Sequence, residues 1–286
     1  MSPAAVPTAA APPAWWRRAM GRPIAWAERA ARWLFGRLNG LRRLIAFGLI
    51  TLGVLVTHFG HARAVVWPVI FRELHRGGVR LLPLIVTASG LLGMLLIGQT
   101  VALLLQLGAA DLTGRLVVTL VVREIAPLLT AAFVLLRVGT PMVVELGAAR
   151  ANGEVEALEA LGVDPVHYLV MPRVIGLSLA ACALNIYALL AALAGGWLLV
   201  MLRELPLTLA EFLGQISAAM DPVDFLLLFV KSALFGAIVA LAACFNGLAY
   251  PLRADQIPGA TTRAVEQTLL VILLADAALL AVRMVL

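Results

Sequence analysis

Two long apolar stretches without a charged side chain constrain this sequence more than any other feature. Residues 81–110 and 174–202 run for thirty and twenty-nine residues without Asp, Glu, Lys or Arg. A helix rises about 1.5 Å per residue, so about 20 apolar residues cross the hydrocarbon core of a bilayer. Each stretch is therefore predicted to span a membrane as an α-helix.

Composition excludes a water-soluble domain. The chain is 62% hydrophobic and 13% charged, whereas soluble domains hold about 25% charged residues. Three further stretches of membrane length lie at 125–149, 225–250 and 264–286. Their charges away from the ends are those of four residues: Arg137, Glu145, Lys231 and Asp276. The prediction is an all-α integral membrane protein with five transmembrane helices.

The basic residues predict which side of the membrane each end occupies. Residues 1–80 carry twelve arginines and only two acidic residues, and basic flanks stay in the cytoplasm. Residues 44–57 form an apolar segment of only fourteen residues, which is short for a membrane span. If it crossed the membrane, the arginines at 63–80 would lie outside. It is therefore predicted to be an interfacial elbow helix at 44–60, with the N-terminus inside.

The segment 1–43 is predicted to be an extension of the membrane domain, which covers 44–286. It begins with an Ala/Pro-rich stretch, typical of disorder, and continues with four tryptophans among eight arginines. That mixture favours an amphipathic segment on an anionic membrane surface over nucleic-acid binding. A basic tail with incidental tryptophans is the alternative.

A short amphipathic helix is predicted at 153–162, in a cytoplasmic loop. Asn152 is a good N-cap, and Gly162 is a natural residue to end the helix. Apolar side chains recur every third residue between acidic ones, and the segment comprises Glu154, Val155, Glu156, Leu158, Glu159 and Leu161, followed by Asp164. A helix this short must dock to be stable, either onto its own membrane domain or into a groove of a partner.

The four charges inside the predicted spans need partners, because an unpaired charge in a membrane is costly. Lys231 and Asp276 have opposite signs and depths that differ by about 6 Å, counted at about 1.5 Å per residue. We predict that they face each other in the outer half of the membrane. Alternatively, Lys231 extends to the outer interface.

The sequence lacks the motifs of several enzyme classes. A phosphate-binding Walker A loop needs a lysine after glycine, and the only lysine, Lys231, follows Val230. No HExxH motif and no mid-span histidine occur, and His58 and His61 have no nearby carboxylate or cysteine. No metal site and no cofactor are therefore predicted in this chain, and an intramembrane enzyme is disfavoured. An ion-driven secondary transporter using Arg137, Glu145 and Asp276 stays open, although it gives the helix at 153–162 no purpose.

Residues 123–173 resemble the permease family of the MlaE type, which belongs to the ABC transporters. The matching positions are R-E-x-x-P at Arg123, Glu124 and Pro127, R-x-G at Arg137 and Gly139, E-x-G at Glu145 and Gly147, Ala157–Leu161, D-P at Asp164 and Pro165, and P-R at Pro172 and Arg173. A second block falls on Phe245–Gly247 and Ala260–Arg263. The chain departs from the family pattern at Pro141, which is expected to kink the second span.

The resemblance implies a homodimeric permease of a bacterial inner membrane, with five spans, an elbow helix and a coupling helix at 153–162. It further implies an ABC ATPase subunit, which binds ATP and Mg²⁺, and an MCE-type periplasmic lipid-binding subunit. The implied cargo is a phospholipid or another membrane lipid. Arg137, Glu145, Lys231 and Asp276 are then expected to line the lipid path, and the helix at 153–162 to contact the ATPase.

Overall fold

The computed structural model of the chain describes residues 40–53, 63–205, 207–248 and 253–285. The chain divides into two compact units, 1–43 and 44–286. Most of the first unit, including the tryptophan-rich segment, lies outside the described residues, as do His58 and His61. The description that follows concerns the second unit and the four described residues before it, which are mostly helical and contain no strand within the described ranges.

Five helices are long and apolar enough to cross a membrane, and they confirm the predicted all-α five-span fold. They comprise Trp67–Gln106, Thr113–Ala151, Val166–Leu202, Pro222–Leu248 and Ile257–Arg283. Three begin well before the predicted spans at 81, 125 and 174. A prediction from hydropathy places the end of a span at the first charged residues. In the structure the helices continue through these residues, because residues of neighbouring helices form ion pairs with them.

Eleven α-helices make up these spans and their connections within the described residues. They are α1 (40–53), α2 (Arg63–Leu74), α3 (Leu82–Gln106), α4 (Thr113–Val117), α5 (Ala126–Val134), α6 (Thr140–Ala151), α7 (Glu154–Ala160), α8 (Met171–Leu202), α9 (Leu209–Ala219), α10 (Pro222–Leu248) and α11 (Ile257–Val285). The predicted elbow helix, 44–60, overlaps α1, and residues 54–62 are not described. Helix α2 was not predicted, because the arginines at 63–80 were used only to predict the side of the membrane.

Four π-helical turns interrupt the spans, at His75–Val79, Val118–Ile125, Leu135–Gly139 and Val166–Val170. Each contains the residue four positions before a proline, namely Pro83, Pro127, Pro141 or Pro172. A proline has no N–H for the carbonyl four residues earlier, and its ring crowds that carbonyl. Local widening of the helix accommodates both effects. The disturbance expected at Pro141 therefore takes the form of the π turn at Leu135–Gly139.

Helices α8 and α10 lie at the centre of the fold. Helix α8 packs along α3, and α10 packs against α8, α6 and α11. The α3–α8 contact depends on glycine, because a methyl group at Gly93 would overlap the backbone of Ala192, and one at Gly195 would overlap Gly90. Such close backbone approach is how helices associate in lipid, where no hydrophobic force joins them. Leucines on the opposite faces, such as Leu91 and Leu190, are exposed on this single chain.

Helix α9 is a short amphipathic helix that follows the third span. The Thr208 hydroxyl accepts a hydrogen bond from the Glu211 N–H (3.3 Å), and the Glu211 carboxylate accepts one from the Thr208 N–H (2.8 Å). This capping box begins the helix. Its buried face, which carries Phe212 and Ile216, packs in a core with α3, α4 and α8. Helix α9 thereby covers one end of the bundle.

Candidate functional site

Lys231 lies at the centre of a charge cluster inside the bundle, at the end predicted to face outward. Its Nζ is 2.5 Å from Asp276 Oδ1 and donates hydrogen bonds to Glu124 Oε2 and to the Arg123 carbonyl, each at 2.8 Å. The Lys231 side chain is 8% exposed. Two of its N–H donors therefore have hydrogen-bond acceptors, and Lys231 and Asp276, expected to face each other, form an ion pair. The ammonium does not extend to the interface.

The Arg123 carbonyl is available to Lys231 because of Pro127. In an α-helix that carbonyl would accept from the N–H four residues later, which Pro127 lacks. A carbonyl without a donor inside a membrane is costly, and Lys231 supplies the donor. The R-E-x-x-P motif thus has a physical basis here, since its glutamate and the carbonyl of its arginine both hold the ammonium.

A second group of charges continues the cluster toward the outer end. The Asp224 side chain is fully buried and lies between two guanidinium groups, with Arg123 Nη2 at 2.7 Å and Arg283 Nη2 at 2.8 Å. The backbone N–H of Asp221 also donates to Asp224, at 3.1 Å. We call the six residues Arg123, Glu124, Asp224, Lys231, Asp276 and Arg283 the outer charge cluster. With all six ionised, three positive and three negative charges cancel.

An open pocket adjoins the outer charge cluster. This outer pocket has a cavity volume of about 30 Å³, opens to the surroundings, and is lined by five of the six charged residues together with Val122, Leu227, Leu228, Leu279 and Leu280. One wall is therefore charged and the others are aliphatic. This combination suits an amphiphile, with a polar group on the charges and hydrocarbon along the leucines.

Glu145 belongs to a different charge group, at the opposite, inner end of the bundle. Its carboxylate accepts from Arg76 Nη1 at 2.7 Å and from Arg173 Nη2 at 3.4 Å, and Arg173 Nε lies 3.5 Å from Glu73 Oε1. Glu145 is 45% exposed, and it lies six residues before the end of α6. This inner charge network joins α2, α6 and α8.

Arg137 is separate from both groups. It lies in the π turn between α5 and α6, its side chain is exposed, and it makes no ion pair with any residue in the described part of the chain. The structure therefore places the four span charges at three different positions. Lys231 lies with Asp276, and Glu145 lies in the inner charge network. Arg137 is exposed on the side of the helix bundle.

Helix α7 lies at the inner end, where the amphipathic helix was predicted, but its start differs. Asn152 ends α6, and Gly153, whose φ is 76°, is the N-cap of α7. Only a glycine takes that conformation readily, and the side chain expected to cap the helix does not do so. Gly162 follows the helix with φ of 77°, as predicted.

The apolar stripe of α7 divides into a buried and an exposed part. Val155 is buried in the hydrophobic core of the membrane domain, Leu158 is half-buried, and Leu161 is 78% exposed. Glu156 pairs with Arg150 (3.1 Å), while Glu154 and Glu159 are exposed. Asp164 accepts from the Val166 N–H (2.9 Å) and so caps the next helix. The helix is anchored on its own domain and still presents Leu161 to a partner.

Sequence reasoning missed four members of the outer charge cluster. Arg123 and Glu124 were placed at the end of a span, although ten residues of helix precede them. Asp224 was predicted to lie in an outer loop at 203–224, and Arg283 on the outside near the C-terminus. One feature of the sequence could have indicated this site. Pro127 in the R-E-x-x-P motif has no N–H for the carbonyl of Arg123, four residues earlier, so that carbonyl needs another donor.

Comparison with known proteins agrees with these features. The sequence model of a family described as Permease MlaE matches residues 70–282. The chain belongs to the MlaE permease family. The matched region includes the inner charge network, five of the six residues of the outer charge cluster, α7 and nearly all of the five spans, so the chain is a multi-pass membrane permease.

Individual relatives carry transport names. A probable ABC transporter permease protein of Synechocystis is 31% identical over 66% of this chain and 71% of its own length. The intermembrane phospholipid transport system permease protein MlaE of Haemophilus influenzae is 28% identical over 76% and 83%. Trigalactosyldiacylglycerol 1, a chloroplastic protein of Arabidopsis thaliana, is 29% identical over 73% and 60%. These proteins are similar in sequence across most of the membrane domain.

Proposed function

We propose that this permease is the membrane-spanning subunit of an ATP-driven ABC transporter that moves a phospholipid between a bacterial inner membrane and an MCE-type periplasmic carrier. The observation that carries this proposal is the outer pocket, where a charged wall and aliphatic walls meet. The names of the relatives from Haemophilus influenzae and Synechocystis support the same function.

The pocket has the two surfaces that a phospholipid needs. The guanidinium groups of Arg123 and Arg283 offer planar N–H donors to a phosphate. Leu227, Leu279 and Leu280 line the rest of the pocket, so acyl chains there stay in apolar surroundings. A lipid that leaves the bilayer exchanges one apolar environment for another, so little free energy is lost along the chains.

ATP hydrolysis is assigned to a separate subunit, which binds ATP and Mg²⁺. The only lysine of the chain is engaged in the outer charge cluster, and no residue remains for a Walker A loop. Helix α7 supplies the contact to that subunit. Leu161 is exposed between acidic residues, so we expect an apolar groove with a basic rim on the ATPase.

A second copy of the chain is the proposed cover for Arg137. This residue lies fourteen positions, or about 21 Å of helix, before the inner end of its span. A guanidinium facing lipid at the centre of a membrane costs about 2.5–3.5 kcal/mol on insertion scales. A homodimer in which this face is buried, or lines water between the two copies, removes that cost.

Reconstitution tests the proposal directly. The permease is co-expressed with its ATPase, placed in liposomes, and assayed for lipid transfer with and without ATP. Leu161→Arg is expected to abolish ATPase association, while Leu209→Arg, an exposed leucine at the opposite end, retains it. Arg123→Gln is expected to retain the ATPase and to lose lipid transfer.

The alternatives give different results. Transfer that ignores ATP but follows an imposed ion gradient would favour a secondary transporter. Normal ATPase association in the Leu161→Arg variant would refute the docking role of α7. Full lipid transfer in the Arg123→Gln variant would refute the role of the outer pocket.

A further inference from the structure

The outer pocket offers a ligand charges of both signs. Asp224 and Lys231, with side chains 0% and 8% exposed, are buried counter-ions for their neighbours. Arg123, Glu124 and Arg283 keep 21%, 27% and 30% of their side-chain surface exposed. A ligand in the pocket therefore meets two guanidinium groups and one carboxylate.

The two guanidinium groups have donors to spare. Each carries five N–H bonds, and the ion pair with Asp224 engages the Nη2 nitrogen of each residue. Because both groups pair with the same carboxylate, they are held next to each other. Two adjacent guanidiniums of this kind match the oxygens of one phosphate.

The exposed carboxylate sets a different requirement. Glu124 uses Oε2 for Lys231, and 27% of its side-chain surface stays exposed at the pocket. A positively charged group beside it gains an ion pair. A negatively charged group beside it meets repulsion, which is stronger in a site shielded from water.

We propose that the outer pocket selects zwitterionic over anionic phospholipid headgroups, with the phosphate on Arg123 and Arg283 and the headgroup ammonium on Glu124. This inference rests on the proposed function and adds the class of lipid. The charges of the empty cluster sum to zero, so a zwitterion leaves the occupied pocket neutral. An anionic lipid adds one uncompensated negative charge next to Glu124, and discrimination by such a mismatch is an effective source of specificity.

The test uses the full-length permease in detergent with equal amounts of phosphatidylethanolamine and phosphatidylglycerol that carry the same acyl chains. Bound lipid is counted by native mass spectrometry. One partly exposed ion pair predicts a preference of about fivefold for phosphatidylethanolamine. N-acetylated phosphatidylethanolamine, which has lost its positive charge, is expected to bind as weakly as phosphatidylglycerol.

Variants separate the two halves of the headgroup. Glu124→Gln keeps the size of the side chain and an acceptor for Lys231, and it is expected to bring the two lipids to equal binding. Arg283→Gln is expected to weaken both lipids alike and to leave the preference intact. Arg115→Gln, at an exposed arginine of the outer end, is the control and is expected to change neither quantity. Elution volume and thermal unfolding verify that each variant is folded.

Different outcomes would refute headgroup selection and the proposed lipid-transport function. Equal binding of both lipids and of the N-acetylated lipid to the wild type overturns headgroup selection and leaves the lipid pocket standing. Binding that is unaffected by Arg283→Gln and Arg123→Gln overturns the pocket itself, and the proposed function with it. Because the N-acetylated lipid tests the ammonium without any mutation, the inference remains testable if Glu124→Gln is unstable.

Discussion

Removal of the Lys231 ammonium should destabilise the permease more than removal of its partner Asp276. The Lys231→Ala change leaves Glu124 and Asp276 together without a cation, and it leaves the Arg123 carbonyl without a donor. Loss of one partner from a buried ion pair costs about 3–5 kcal/mol. Glu124 is 27% exposed and partly hydrated, so we expect the low end, about 3 kcal/mol.

The Asp276→Ala change is milder, because Lys231 keeps Glu124 and the Arg123 carbonyl. A lost hydrogen bond to a charged group corresponds to about 1.5–3 kcal/mol, and we expect about 2 kcal/mol. The double variant removes both charges, so its cost should fall below the sum by about 1–2 kcal/mol. The free energy of unfolding is measured by reversible titration with SDS in mixed micelles, followed by tryptophan fluorescence.

Arg115→Ala is the matched control for removal of a cation. Arg115 is exposed at the outer end, so its loss should change the free energy of unfolding by less than about 0.5 kcal/mol. If the single costs of Lys231→Ala and Asp276→Ala add up within about 0.5 kcal/mol in the double variant, the two residues do not interact, and the reasoning fails.

Three further predictions follow from the fold. Cysteines placed at Glu159 and Ser217, in a cysteine-free background, should react with an impermeant reagent from the inside and the outside respectively; labelling from one side only would refute the sidedness. Gly93→Ala should lower the free energy of unfolding by about 1–3 kcal/mol through overpacking, whereas Gly259→Ala, with open space around it, should not. Thr208→Ala should weaken α9 by about 1 kcal/mol. The hydrogen bond from the Thr208 N–H holds the pKa of the Glu211 carboxyl below its ordinary value of 4.5. The contribution of this carboxylate to the cap is therefore present above pH 4.5 and is lost as pH falls through the lowered pKa. Hydrogen exchange of α9 at several pH values measures both halves of the cap, and an exchange rate in the Thr208→Ala variant equal to wild type would contradict the hydroxyl cap.

The parts of the fold that depend on local sequence were predictable. The uncharged stretches at 81–110 and 174–202 are long enough to cross a membrane as α-helices, and the structure has a helix at each. The pairing of Lys231 with Asp276 was also predictable, because the two residues have opposite charges and similar depths on consecutive spans. Sequence spacing alone therefore identified the pair that the structure brings into contact.

The remaining contacts depend on how distant helices meet. Asp224 pairs with Arg123, about a hundred positions earlier, and Glu145 pairs with Arg76 from another span. Nothing in the local pattern indicates which of many charged residues will be neighbours. The amphipathic stripe of α7 was recognised, but its division between core and surface depends on the sharp turns at Gly153 and Gly162, which aim the helix.

Pro127 and Lys231 explain each other, although about a hundred residues separate them in sequence. The proline leaves the Arg123 carbonyl without its α-helical donor, within a helix long and apolar enough to span a membrane. The lysine is a buried cation that needs acceptors, and it finds that carbonyl together with Glu124 and Asp276. Each residue thus supplies what the other lacks: the proline frees an acceptor and the lysine provides a donor. The only lysine of the chain thus stands opposite a proline-disrupted turn, and together they fix the carboxylate of Glu124 at the edge of the outer pocket.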